Sequence, residues 1–93
     1  VFFVSGCALM ISRADWTNVG GLDERYFMFN EEVDLCWRMQ AQGRDVGVVR
    51  DVVVWHIGGA TLAGGYAHAG RHRTSARRIY LRERNALATT LKN

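Results

Sequence analysis

The chain opens on FFVSGCALMIS at residues 2–12, a mostly apolar run with Ser5 and Gly6 set inside it. A continuous run of this kind predicts a buried strand over Ala8–Ser12. Arg13–Val19 reads as a short helix or turn, stopped by the pair Gly20-Gly21. GGLDER is then a turn, since paired glycines permit positive φ and Asp23 favours turn geometry. Asn30 has the character of an N-cap and Glu31–Gln42 the pattern of a helix, with Val33, Trp37 and Gln40 on one stripe. Gly43 follows as its stop. Val46–Val49 and Val52–Trp55 are β-branched runs, read as two short strands or one bulged strand. HIGGATLAGGYAHAG at 56–70 reads as a loop. From Arg73 onward the pattern is helical, with Ile79, Tyr80, Arg84, Leu87 and Leu91 near one face.

Length and composition bound the reading to one domain. There are 93 residues, 48% of them hydrophobic, with ten glycines and no proline. The opening resembles a core strand more than a natural start, so an excised piece of a longer protein is expected. It lacks the basic region and cleavage site of a signal peptide. No apolar stretch approaches the ~18 residues of a membrane span. Cys7 and Cys36 suit neither a disulfide framework nor a metal site, and are expected to be reduced, buried small hydrophobes in a reducing compartment.

The net charge of +3 is unevenly spread. Residues 1–65 hold five arginines against eight carboxylates, whereas residues 66–93 hold six arginines and one lysine against one glutamate. The chain therefore divides into an acidic body over 1–65 and a basic loop and helix over 66–93.

Three places carry candidate chemistry. The first is FNEEVDLCWR at 29–38, where Glu31, Glu32 and Asp34 stand among Phe29, Val33, Leu35 and Trp37. Acids in a first helical turn suit the helix dipole, and Asp34 with Arg38 makes an i, i+4 pair, so a structural role explains much. Aromatic surroundings change that balance, because a carboxylate at an apolar rim has its proton affinity raised and can serve as a general base. The second is His56, just past a Val-rich run, where a neutral imidazole can bind a divalent ion, although one His is not a metal site. The third is the basic segment 71–84, which suits a solvated helix face, a nucleic acid or a diphosphate.

The series SGCALMISRADWTNVGGLDERYFMFNEEVDLCWRMQAQG followed by VVWHIGGAT resembles the C-terminal half of the catalytic domain of family 2 glycosyltransferases, in particular their rhamnosyltransferase-like members. The resemblance covers residues 5–61, with a looser echo in YLRERNAL. It implies an α/β fold, the acceptor-side half of a GT-A sandwich, with a short mixed sheet, flanking helices and a C-terminal helix. It implies an inverting, metal-dependent sugar transfer from a nucleotide-sugar donor to a hydroxyl of a glycan or lipid-linked acceptor. Glu32 stands where the family has its base Asp, one methylene longer, with Glu31 as the second candidate. Asp23, Trp37 and Asp34 fall at the acceptor side, and Asp34 is also read as structural through Arg38. His56 matches a histidine that helps hold Mn²⁺ or Mg²⁺, the other ligands lying in an N-terminal half. Arg71 and Arg73 are placed over the diphosphate. Arg84-Asn85 matches an Arg-Asn pair with no role assigned.

No nucleic-acid partner is expected on this reading, and the location expected is cytoplasmic, against the inner face of the membrane or free of it. The isolated piece is expected to be inactive and to self-associate through an exposed sheet edge and apolar face, with exchange of the C-terminal helix as one route. Two other readings stand beside it: a non-catalytic carbohydrate- or partner-binding module, and a basic-tail binder of nucleic acid or anionic membrane.

Overall fold

A computed structural model describes residues 1–57, 62, 66–68 and 71–93, with the backbone alone at 66–68 and 71–73. Its elements are α1 (Arg13–Val19), a 3-10 turn (Glu24–Tyr26), α2 (Glu31–Ala41), β1 (Tyr66–His68), β2 (Arg71–Arg73) and α3 (Ala76–Lys92).

Local signals explain α1 and the end of α2. The Ser12 hydroxyl oxygen accepts from the Asp15 N–H at 3.0 Å and donates to the Asp15 carboxylate at 2.7 Å, so the first turn of α1 is capped. Gly20 ends it in the left-handed region at φ 82°. Gly21 also has positive φ, and a Cβ there would meet the Trp16 ring at 3.0 Å, so glycine is required twice over. At the end of α2, the Gly43 N–H donates to Gln40 O and the Arg44 N–H to Met39 O, the paired pattern of a Schellman stop.

The start of α2 is built differently from the N-cap that Asn30 suggests. Asn30 is left-handed, at φ 67°, and its side chain caps nothing. Phe27 and Phe29 also have positive φ, at 61° and 70°. Such conformations cost roughly 1–3 kcal/mol each in non-glycine residues and persist only where neighbours hold them. Asn85 of α3 holds this segment. Its amide Nδ2 donates to the carbonyls of Tyr26 (3.0 Å), Met28 (2.7 Å) and Phe29 (2.7 Å). Arg84 donates to the carbonyls of Arg25 and Tyr26, both at 3.0 Å, and orients Asn85 through its Oδ1 at 2.8 Å. The Arg77 and Arg78 guanidinium groups stack over the Phe27 and Phe29 rings.

The core is small and mixed. Val19, Tyr26, Leu35, Cys36 and Leu81 are buried, together with Asp34, Asn85 and Thr89. Leu81, Asn85 and Thr89 lie four apart on α3 and form its inward face. Ile79, Tyr80, Leu87 and Leu91, grouped by their hydrophobicity in the sequence, face outward instead. The inward stripe escapes a hydrophobicity search because two of its three members are polar.

Further corrections concern the strands and Cys7. Residues 8–12, 46–49 and 52–55 form no ladder, and Val48, Val49, Val52, Val53, Val54 and Trp55 are exposed. A β-branched run becomes a strand only when another strand supplies its hydrogen-bond partners, and among the described residues none does so here. The described sheet is the antiparallel pair β1–β2, with Tyr66 opposite Arg73 and His68 opposite Arg71. It occupies positions read from sequence as loop and helix start, and it is not the mixed sheet expected. Cys36 is buried as expected, but Cys7 is exposed. The rest of the 56–70 loop, apart from 56–57, 62 and 66–68, lies outside the described residues.

Replacing Asn85 by Ala removes the side-chain donor from the Met28 and Phe29 carbonyls and should cost about 2–4 kcal/mol. Leu87→Ala, on the exposed face, should cost less than ~0.5 kcal/mol. Urea denaturation of both variants checks the assignment of the two faces.

Candidate functional site: the head of helix α2

The first turn of α2 carries three carboxylates with two different fates. Asp34 is fully buried and fully used. Its Oδ2 accepts from Arg38 Nε at 2.8 Å and Lys92 Nζ at 3.0 Å, and its Oδ1 from Asn93 Nδ2 at 2.8 Å. Burial alone would push its pKa up; the bonds from Asn93, Lys92 and Arg38 outweigh this and leave it lowered. Arg38 also donates to Val19 O and Gly21 O, tying α2 to the end of α1. The i, i+4 pair expected from sequence is therefore present, as one edge of a larger network. Asp34 is inaccessible to solvent, with both oxygens bonded.

Glu31 and Glu32 are the opposite case. Each has a carboxylate oxygen, Oε2, that is buried and has no hydrogen-bond partner among the described residues. Burial raises the Glu31 pKa above its ordinary value of 4.5, its own backbone N–H opposing and the neighbouring Glu32 charge adding to the rise. The Glu32 side chain lies against Gly6, whose position would bring a Cβ within 3.5 Å of it. An unpaired buried carboxylate is destabilising, so the fold holds this pair at a cost. Chemically, such a group is equipped to take a proton from a hydroxyl.

Asp23 caps the 3-10 turn through the Arg25 N–H and binds the Arg25 guanidinium through both oxygens. Lys92 reaches it from α3 at 2.8 Å. The Arg25 bonds first, then Lys92, hold its carboxyl well below the usual range. An open cleft of about 360 Å³ lies here, walled by Asp23, Arg25, Tyr26, Arg84 and Lys92. Arg84 is in no ion pair among the described residues. Trp37 is half-buried and meets Phe2 edge to face, with ring centroids 5.3 Å apart.

His56 is exposed, and among the described residues no three His, Cys, Asp or Glu groups cluster as a metal site would require. These residues by themselves do not fit a divalent ion. Arg71 and Arg73 stand on β2, and their side chains lie outside the described residues. The structure thus brings Glu31, Glu32 and Asp34 to one helix head and puts Asp23 on a cleft. The contribution invisible in the sequence is that of Arg84-Asn85, whose partners lie 56 to 59 residues earlier.

Comparison with known proteins gives the following. Over 87 residues, 92% of this chain, it is 36% identical to the N-acetylglucosaminyl-diphospho-decaprenol L-rhamnosyltransferase of Mycobacterium tuberculosis strain CDC 1551 / Oshkosh, and to the same degree to that of strain ATCC 25618 / H37Rv. The chain spans 28% of the length of these relatives. No family model matches it, and no solved structure does. Among the described residues no helix is long and apolar enough to cross a membrane.

The two fates of the acids predict opposite responses to neutralisation. At pH 7, Asp34→Asn should cost about 3 kcal/mol, the usual loss on breaking a buried ion pair. Because its folded pKa is lowered, that contribution is present above the unfolded pKa near 3.8 and fades as pH falls below it. Glu31→Gln should instead leave stability equal or raised at pH 7. The difference should vanish as pH falls from the raised folded pKa through 4.5, where wild-type Glu31 takes up its own proton. Urea denaturation across pH 3–8 reads both.

Proposed function

We propose that this chain is the acceptor-side segment of an inverting glycosyltransferase of GT-A fold, moving a sugar from a nucleotide-diphosphate donor to a hydroxyl of a lipid-linked glycan acceptor. The observation that carries the reading is the pair of buried, unpartnered carboxylate oxygens at the head of α2. The similarity to rhamnosyltransferases supports the reaction class, and their printed acceptor, a sugar on diphospho-decaprenol, supports the substrate class.

In this reading Glu32 is the general base. It takes the proton of the acceptor hydroxyl as that oxygen bonds to the anomeric carbon. The bond from that carbon to the donor diphosphate breaks, and the diphosphate leaves with the electron pair. Attack from the face opposite the leaving group inverts the anomeric centre. Glu31 is the second candidate, and burial makes it the stronger proton acceptor than an ordinary glutamate. Trp37 offers an apolar face against which a sugar ring packs. The cleft beside Asp23, with Arg25, Arg84 and Lys92 on its walls, suits the diphosphate of the acceptor. No step is routed through a metal, because His56 belongs to no ligand cluster among the described residues.

The test uses the full-length protein that carries this segment, with a panel of nucleotide sugars and N-acetylglucosaminyl-diphospho-polyprenol as acceptor. Glu32→Gln should lower kcat at least ~100-fold with donor binding retained. If Glu31 is the base, its Gln variant shows that loss instead, and the acid limb of the wild-type pH profile lies above the ordinary glutamate value. Full activity in both variants removes the base assignment. No transfer from any donor by wild type removes the reading.

A further inference from the structure

Helix α3 has two faces, and only one is used by the fold. Leu81, Asn85 and Thr89 seat it on the 26–30 segment. At about 100° per residue, Ile79, Tyr80, Leu87 and Leu91 group on the opposite side. They are 51%, 62%, 62% and 78% exposed, high values for large apolar side chains set together on one helix. Phe27, 63% exposed under the Arg77 guanidinium, lies beside the first turn and extends the apolar surface.

The borders of this stripe are basic. Arg77 flanks it on one side and Arg82 on the other, and neither is in an ion pair among the described residues, whereas Arg84 is held by the carbonyls of Arg25 and Tyr26. Glu83, the one acid of residues 66–93, lies within the outward face. The apolar groups share the outward face with Glu83, and the cations sit at its borders, where they would meet phosphates.

We propose that the outer face of α3 is a docking surface for an anionic bilayer. The helix lies in the plane of the interface, with Leu87, Leu91, Tyr80 and Ile79 entering the headgroup–acyl boundary. Arg77 and Arg82 pair with lipid phosphates, a contribution of about 1 kcal/mol per cation near an anionic surface. Tyr80 suits such a boundary, with an apolar ring and a polar tip. Charge complementarity selects this occupant: a second copy of the chain would set the same unpaired cations against one another. The proposal is independent of the sugar-transfer reading and relocates the basic surface from the run at 71–84 to a helix face over 77–91.

The test is co-sedimentation of the chain with phosphatidylcholine vesicles with and without about 30 mol % phosphatidylglycerol. Wild type should pellet with the anionic vesicles, and about 0.5 M salt should weaken binding. The double variant Leu87→Glu/Leu91→Glu should bind at least ~10-fold more weakly with unchanged helix content by circular dichroism, since both leucines are exposed. Arg82→Gln, which alters no described contact, should also weaken binding and keeps the test decisive if the double variant misfolds. Equal binding to neutral vesicles, or unchanged binding in both variants, would overturn the proposal. So would a wild-type dimer by light scattering that is lost in the double variant while vesicle binding is absent.

Discussion

The described structure depends on one side-chain amide. Asn85, nearly inaccessible to solvent, spreads its two N–H bonds over the carbonyls of Tyr26, Met28 and Phe29. Those carbonyls converge only because Phe27, Phe29 and Asn30 take left-handed conformations. The bonds and the conformations therefore require each other: without donors the turn relaxes, and without the turn the amide is buried unsatisfied. Arg84 reinforces the arrangement from the adjacent position, and Thr89, one turn on, binds the Tyr26 hydroxyl at 2.9 Å. The direction in which α2 leaves the turn follows from this contact between segments distant in sequence.

That direction decides where the acids go. Asp34 turns inward and meets Arg38, Lys92 and Asn93, joining α1, α2 and the end of α3. Glu31 and Glu32, one turn earlier, each place an oxygen where it is buried and no donor among the described residues reaches it. A helix dipole accounts for acids in a first turn, but not for leaving a buried oxygen on two of them without a partner among the described residues. Arg77 and Arg78, on the facing helix, stack on Phe27 and Phe29 instead. The arrangement sacrifices stability at one helix head, a pattern associated with sites kept for chemistry.

How much of this could be read from sequence follows from the range of each interaction. The extents of α1 and α2, the glycine stops and the Asp34–Arg38 pair rest on neighbours within four or five residues and were legible. The β-branched runs at 46–49 and 52–55 carry a true propensity, but a strand is a property of two segments, and the described residues supply no partner. The inward face of α3 was misassigned because hydrophobicity ranks Ile79, Leu87 and Leu91 above Asn85 and Thr89. What Asn85 contributes lies in carbonyls nearly sixty residues away, for which no local pattern exists. The acids were legible as a cluster; their division into paired and unpaired groups was not, since Lys92 and Asn93 reach Asp34 from the far end of the chain.

The clamped turn holds one carboxylate oxygen of Glu31 and one of Glu32 buried and without a hydrogen-bond partner among the described residues. The most direct measurement is a carbon-13 NMR titration of the Glu31 side-chain carboxyl in the folded chain. A midpoint above the ordinary 4.5 is expected, because burial disfavours the charged form by more than the bond from its own backbone N–H favours it. A midpoint at or below 4.5 would mean that the carboxylate is solvated or paired, and would contradict that burial.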